Sequence, residues 1–337
     1  MKSFKDICKK ESLFDYLNEI KNKTLVIYSP TSSQKTDLFK KIDNNNLIFL
    51  NANETDIDVN KINKYLKKCE QFETVVGFGG GTANDIAKYI GNKEDKYTVS
   101  IPSMLSTNVY STNKVLMNED GEVKTLDSKL PDLIIYDENV LKLSEVENMF
   151  GFADVLTIYT ASKDWMISYQ NQNDDMNENI YKMDIDLVNN TKNYILQHSY
   201  DEIKDNLFEI FNFIGMVGHI TNLYGSGRPV SGSEHIFAKS LEQKILVPHG
   251  ISVGIGILIM SLFQNNYSKE IETCFKKIKI FDYANKYKIT QKLIMNNLME
   301  LKPREGRYTI VNTLNRYDEE VIIKIKEILD KFNIPKE

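Results

Sequence analysis

Two groups of residues have types and spacings that could do chemistry. The first is Gly77-Phe78-Gly79-Gly80-Gly81-Thr82, which opens into Asn84-Asp85-Ile86-Ala87-Lys88-Tyr89-Ile90. Glycines let a backbone approach a bulky anion, and the helix expected next would present free N–H groups with a partial positive charge. Pyrophosphate is a natural guest, and the Thr82 hydroxyl could donate to it. Three successive glycines exceed what a bare strand-to-helix turn needs, because each costs backbone entropy. The loop matches neither the GxGxxG nor the Walker A pattern, so it does not by itself name its ligand. Downstream, Ser103-Met104-Leu105-Ser106-Thr107-Asn108 leaves the run Val99-Ser100-Ile101-Pro102. The hydroxyls of Ser103, Ser106 and Thr107 could hold phosphate or nicotinamide there, or simply cap a turn.

The second group is drawn from only four histidines, His198, His219, His235 and His249. Ser231-Gly232-Ser233-Glu234-His235 reads as a helix start, with Ser231 or Ser233 as its N-cap. Fourteen residues later, Pro248-His249-Gly250 stands where one helix ends and another begins. Two imidazoles on adjacent helices, joined by a carboxylate, would make a divalent-metal site with an open position. Spacing does not choose the carboxylate. His219, in the apolar stretch FIGMVGHITNLY, and His198, in a polar one, read as packing or surface residues.

These groups need elements to position them. Thr24–Tyr28, Leu47–Leu50 and Thr74–Phe78 read as buried strands, with helices after Ser29-Pro30 and over Lys61–Phe72. Continuous apolar strands separated by helices imply a mainly parallel sheet covered on both faces, whose ligands collect at the carboxyl edge. Asn118-Glu119-Asp120-Gly121 between KVLM and EVKTL predicts a β-hairpin, and Leu133–Tyr136 returns to the sheet. After Phe150, apolar residues take helical spacing over Leu156–Tyr169, Ile180–Leu196, Leu207–Tyr224 and Glu234–Lys244. The expected organisation is an α/β Rossmann-like nucleotide-binding domain over residues 1–150, followed by an all-α metal- and substrate-binding domain over 151–337.

Composition excludes several classes. Against 47 Asp and Glu stand 42 Lys and Arg, a formal charge of −5, which argues against nucleic acid as the main partner. Cys8, Cys69 and Cys274 are scattered, so neither a disulfide framework nor a thiolate zinc site is expected. The N-terminal stretch has no signal-like apolar run, and Gly250–Phe263 is too short to span a bilayer. A cytoplasmic protein without membrane insertion is the expectation.

The segments together resemble the iron-containing alcohol dehydrogenase, glycerol dehydrogenase and dehydroquinate synthase superfamily, and most closely its sn-glycerol-1-phosphate dehydrogenase branch. GFGGGTANDIAKYIG is similar to the pyrophosphate loop GGGTxxDxxK, which assigns Gly79, Gly80, Gly81, Thr82 and Asp85 to cofactor binding. IPSMLSTNVYSTNKVLM corresponds to the loop for nicotinamide and substrate. GFADVLTIYTASKDW, SGRPVSGSEHIFAK and PHGISVGIG resemble the segments that supply three metal ligands, here Asp154, His235 and His249. Gly306–Ile310 (GRYTI) resembles the branch's RYTIL signature.

The chain also departs from that pattern. Thr107-Asn108 stands where the family usually has Asp or His-Asp, Lys239 where the branch often has a second His, and Ser29-Pro30 where NAD-preferring members carry Asp. Lacking a carboxylate for the ribose 2′-hydroxyl, the loop after the first strand leaves NADP open beside NAD.

The resemblance implies a dehydroquinate-synthase-like fold, one divalent metal, zinc or iron, and an NAD(P)H oxidoreductase in which the metal acts as Lewis acid. The implied substrate is a small polyol or polyol phosphate, with sn-glycerol 1-phosphate and dihydroxyacetone phosphate as the leading pair. Asn108, Lys163 and Arg228 are candidates at the substrate, the two cations for a phosphate group. A homo-oligomer is expected. The competing readings are an NAD- and metal-dependent cyclase of the dehydroquinate synthase kind and a non-catalytic metabolite-binding protein.

Overall fold

The computed structural model describes residues 4–337. The chain forms two compact units, Met1–Asn148 and Met149–Glu337.

The first unit is built on strands β1 (Cys8–Lys10), β2 (Thr24–Tyr28), β3 (Leu47–Asn51), β4 (Thr74–Gly79), β5 (Tyr97–Pro102) and β8 (Leu133–Tyr136), in the order β1-β8-β5-β4-β2-β3. Every pair in this sheet is parallel. β4 is buried along its whole length because helices cover both faces, which is why it reads as an unbroken apolar run. Alternate residues feed two cores. Leu25, Ile27 and Val75 pack with Ile86, Ala87 and Ile90 of the helix Gly81–Lys93, whereas Val26, Val76 and Phe78 pack with Leu13, Leu17 and Ile135. The register sets Tyr28 beside Phe78 and Gly79 beside Pro102, so the exits of β2, β4 and β5 lie together at the carboxyl edge.

β6 (Lys114–Glu119) and β7 (Glu122–Asp127) form the expected antiparallel hairpin. Asp120 and Gly121 both have positive φ, 54° and 90°, as a tight two-residue turn requires. Two readings are corrected. The helix over Lys61–Phe72 is shorter, Val59–Leu66, and the one after Ser29-Pro30 breaks at Asp37 (φ 54°) into Pro30–Thr36 and Leu38–Lys41. Apolar spacing continues through these ends, but it cannot show where the backbone turns left-handed.

The second unit is helical, and its described residues contain no strand beyond the isolated bridge between Arg304 and Arg307. The helices that matter for the site are Glu145–Leu156, Ile158–Gln170, Ser233–Glu242 and His249–Phe263. The last is apolar nearly all round and correspondingly buried. Among the described residues no helix is long and apolar enough to cross a membrane.

Candidate metal centre and nucleotide loop

Asp154 sits near the end of the helix Glu145–Leu156, His235 in the first turn of Ser233–Glu242, and His249 at the start of the next helix. Close packing of these last two helices brings the imidazoles together. A Cβ on Gly256 would lie 2.6 Å from the Glu234 carbonyl oxygen, so any side chain there would push the helices apart. The imidazole centroids are 5.3 Å apart.

One ligand atom from each of Asp154, His235 and His249 lies within 4.8 Å of the others. His235 Nε2 is 3.6 Å, and His249 Nε2 3.8 Å, from Asp154 Oδ1. Ligand atoms at about 2.1 Å from a tetrahedral zinc are roughly 3.4 Å apart, close to both distances from Asp154, so this carboxylate and two imidazoles suit a divalent metal.

Each imidazole is oriented from behind. His235 Nδ1 lies 2.9 Å from Glu234 Oε1, and His249 Nδ1 lies 2.8 Å from Glu242 Oε1. A carboxylate at Nδ1 fixes the tautomer that leaves the Nε2 lone pair for the metal. Glu234 is itself wholly buried and accepts from Thr160 Oγ1 (2.7 Å) and the Gly232 N–H (2.6 Å); Glu242 also accepts from Ser252 Oγ. Burial disfavours the His235 imidazolium, but the nearby Asp154 carboxylate and the contact with Glu234 outweigh it and raise the group to about 9. Burial pushes Glu242 upward, yet hydrogen bonding from His249 holds it below the usual carboxylate range. The protein atoms thus favour positive charge at this spot.

Neither Ser231 nor Ser233 caps the His235 helix. Its N-cap is Gly232, with no side-chain cap. The Ser233 N–H instead donates to Asp164 Oδ2 (2.6 Å), whose Oδ1 accepts from the Ile310 N–H (2.8 Å). Asp164, from the Ile158–Gln170 helix, thereby ties the His235 turn to the GRYTI segment. Burial and the nearby Glu234 raise Asp164 to about 6.

The SGRP turn is braced similarly. Arg228 is buried and donates to Asp174 (2.7 Å) and to the carbonyls of Asp164 and Tyr308 (both 2.9 Å). Arg307 donates to the carbonyls of Gly227 and Ser231. Arg228 is therefore part of the frame. Lys163 lies on the exposed side of its helix.

In the first unit, Gly80 caps the helix Gly81–Lys93 without a side-chain hydrogen bond, so its first-turn N–H groups stay available to an anion. Asn84 Nδ2 donates to the carbonyls of Gly79 and Gly80 and holds the loop in shape. Gly79 has φ 151°, and a Cβ there would come within 2.7 Å of Ser29 Cβ, so both conformation and space demand glycine. Thr82 is exposed at this mouth, and Thr107 Oγ1 is the atom nearest to a Cβ placed on Gly81, at 3.9 Å. Ser103 pairs with Ser32 (2.7 Å); Ser106 is half-buried, and Asn108 opens the short turn Val109–Ser111. Asp85 points inward, 3.6 Å from the buried Lys88, whose Nζ also donates to the carbonyls of Thr112 and Lys114. This buried pair fastens the loop's helix to the hairpin.

Sequence reasoning missed Glu234, Glu242 and Asp164. The signal available was a glutamate directly before His235 and another seven residues before His249.

Known proteins resemble this chain in sequence and in fold. A family model described as iron-containing alcohol dehydrogenase matches residues 11–144. The glycerol-1-phosphate dehydrogenase [NAD(P)+] of Methanococcus aeolicus is 25% identical over 291 residues, covering 81% of this chain and 84% of its own. That of Methanothermobacter thermautotrophicus is 27% identical over 266 residues, 76% of this chain and 75% of its own. Among solved structures, a probable glycerol dehydrogenase of Sinorhizobium meliloti shares the fold with a TM-score of 0.68 at 16% identity, covering 97% of this chain and 96% of the other. Over its first unit the chain is similar to the iron-containing alcohol dehydrogenases, and over about four fifths of its length to glycerol-1-phosphate dehydrogenases, with the fold of the glycerol dehydrogenase structures.

Proposed function

We propose that this chain is a metal-dependent NAD(P)(H) oxidoreductase interconverting a small polyol phosphate and its ketone, with sn-glycerol 1-phosphate and dihydroxyacetone phosphate as the best pair. The observation that carries the reading is the convergence of Asp154, His235 and His249 with a carboxylate behind each imidazole. The sequence relatives named as glycerol-1-phosphate dehydrogenases support the substrate.

When bound, a divalent zinc or iron supplies Lewis acidity toward a hydroxyl or carbonyl, and a nicotinamide gives or takes the hydride. The chain's own part is positioning. Glu234 and Glu242 aim the two Nε2 atoms, and Asp164 anchors the turn that carries His235. Gly79 through Thr82 offer backbone N–H groups to a pyrophosphate, and Ser106, Thr107 and Asn108 are assigned to nicotinamide and substrate.

The groove at the exits of β2 and β3 is where the adenosine end of either cofactor would lie. Of its lining residues, Asp37 is the carboxylate, and it is paired with Lys40 at 2.8 Å. Ser29 at the β2 exit has no charge to repel a 2′-phosphate.

The test follows NAD(P)H absorbance in metal-supplemented protein offered dihydroxyacetone phosphate, dihydroxyacetone and small aldehydes. If no carbonyl compound oxidises either cofactor, the reading is wrong.

A further inference from the structure

Beside the metal ligands lies a cavity of about 600 Å³ that runs from Ser231, Gly232 and His235 along the exposed side of the His235 helix to the segment Leu301–Arg304. Its walls carry four cations, Lys239, Lys244, Lys302 and Arg304. Lys244 is neutralised by Glu300 at 2.6 Å. The other three form no ion pair within 4.0 Å among the described residues. Lys239 stands four residues after His235, so its side chain springs from the same helical face one turn on.

This clustering runs against the chain's overall acidity. The nearest acid on the same helix, Glu242, is committed to His249 and Ser252. Burial and the charges of Arg304 and Arg307 hold Lys239 below the ordinary lysine range. Burial, then Arg304 and Arg228, bring Arg307 down to about 10. Uncompensated like charges around a cavity raise the folded state's energy, and a bound anion removes that cost through charge-assisted hydrogen bonds.

We propose that Lys239 and Arg304, with Lys302 at the rim, seat the anionic group of the substrate, a phosphate monoester dianion whose reacting carbon is held against the metal ligands at the His235 end of the cavity. A tetrahedral dianion suits this wall better than a neutral polyol, because lysine and arginine bring donors only and no acceptor. Lys239 is then a specificity-determining residue. It ranks phosphorylated over unphosphorylated substrates, a role for which Arg228 and Lys163 are unavailable or misplaced. The assignment rests on the dehydrogenase reading only for what the rest of the ligand is.

Two measurements test it on the full metal-loaded chain. The first is binding of inorganic phosphate, followed by calorimetry with no turnover required. The expected result is saturable binding that weakens at least tenfold in Lys239→Gln and in Arg304→Gln, and recovers in Lys239→Arg, with metal content and circular dichroism matching the parent. Binding that both glutamine variants leave intact overturns the proposal. The second is the ratio of kcat/KM for dihydroxyacetone phosphate over dihydroxyacetone. It should fall at least tenfold in Lys239→Gln, mainly through KM; an equal loss on both substrates also overturns the proposal. Phosphate binding that behaves as expected in a protein that reduces no carbonyl compound would sink the dehydrogenase reading and leave the anion seat standing.

Discussion

Replacing Glu242 by glutamine tests the metal-centre geometry most directly. The carboxylate accepts from His249 Nδ1 at 2.8 Å and from Ser252 Oγ, and its side chain is 28% exposed. Glutamine keeps the length and one acceptor oxygen but loses the charge. A hydrogen bond to a charged group contributes about 1.5–3 kcal/mol and a neutral one about 0.5–1.5, so the exchange removes roughly 1–1.5 kcal/mol of imidazole orientation. At about 1.4 kcal/mol per decade, metal affinity should fall about tenfold. Glu242→Ala leaves no acceptor and frees His249 to turn, so its loss should approach the roughly hundredfold end of what removing such a partner costs. The assay is competition against a calibrated chelator, with zinc and ferrous iron titrated separately. NAD(P)H binding serves as the control, because the nucleotide loop belongs to the other unit. Affinities of the glutamine and alanine variants within twofold of the parent for both metals would refute the orienting role of Glu242.

Three further outcomes are expected. His249→Ala should abolish both metal retention and turnover yet leave nucleotide binding in place, and turnover surviving in it refutes the ligand assignment. Ser29→Asp sets a carboxylate at the β2 exit; two unit charges about 4 Å apart at an effective dielectric near 20 repel by about 4 kcal/mol. Even a fraction of that should move kcat/KM at least tenfold from NADPH toward NADH, and an unmoved ratio refutes the placement of the adenosine ribose. Asp184 is buried in the helix Glu178–Gln197 with neither carboxyl oxygen hydrogen-bonded, and burial pushes it to about 8. An acid whose pKa rises on folding is fully stabilising only below its unfolded value near 4, and stability drains away as pH climbs toward 8. Asp184→Asn should therefore raise the melting temperature relative to the parent at pH 8 more than at pH 5; a difference independent of pH contradicts the assignment.

Much of the fold was legible because it rests on local patterns. β2, β4 and the hairpin turn at Asp120-Gly121 each announce themselves within a few residues, and Leu207–Tyr224 is helical over the very span its apolar spacing marks. β1 was not legible. Its three residues, Cys8-Lys9-Lys10, carry no apolar alternation and become a strand only by pairing with β8, more than a hundred residues away. The change of pattern after Phe150 coincides with no break in secondary structure, since the helix Glu145–Leu156 runs straight through it. The switch from strands to helices was real, but it marks a change of architecture, and a helix can begin before that change and end after it.

The site divides along the same line. His235 and His249 were visible as residue types at plausible spacing, but choosing Asp154 needed a family-like segment, because any of the chain's many carboxylates could have closed the set. The residues that hold the ligands in place were beyond reach for a different reason. Asp164 works by accepting backbone N–H groups 69 and 146 residues further on, and no side-chain pattern records where a backbone N–H will point. Lys239 lies between these cases. Its identity was conspicuous in the sequence, yet its meaning depends on Arg304 and Lys302 facing the same cavity, from a loop about sixty residues later. Arg228 shows the converse. It looked like an anion receptor because it is a lone cation in a glycine-proline turn, but its hydrogen bonds to Asp174, Asp164 and Tyr308 spend that charge on the frame. Arginine in a turn is ambiguous in sequence, since the same five donors serve backbone carbonyls and phosphates alike. In this chain the cations left without carboxylate partners point to the ligand, and those partnered by backbone and Asp174 hold the site that receives it.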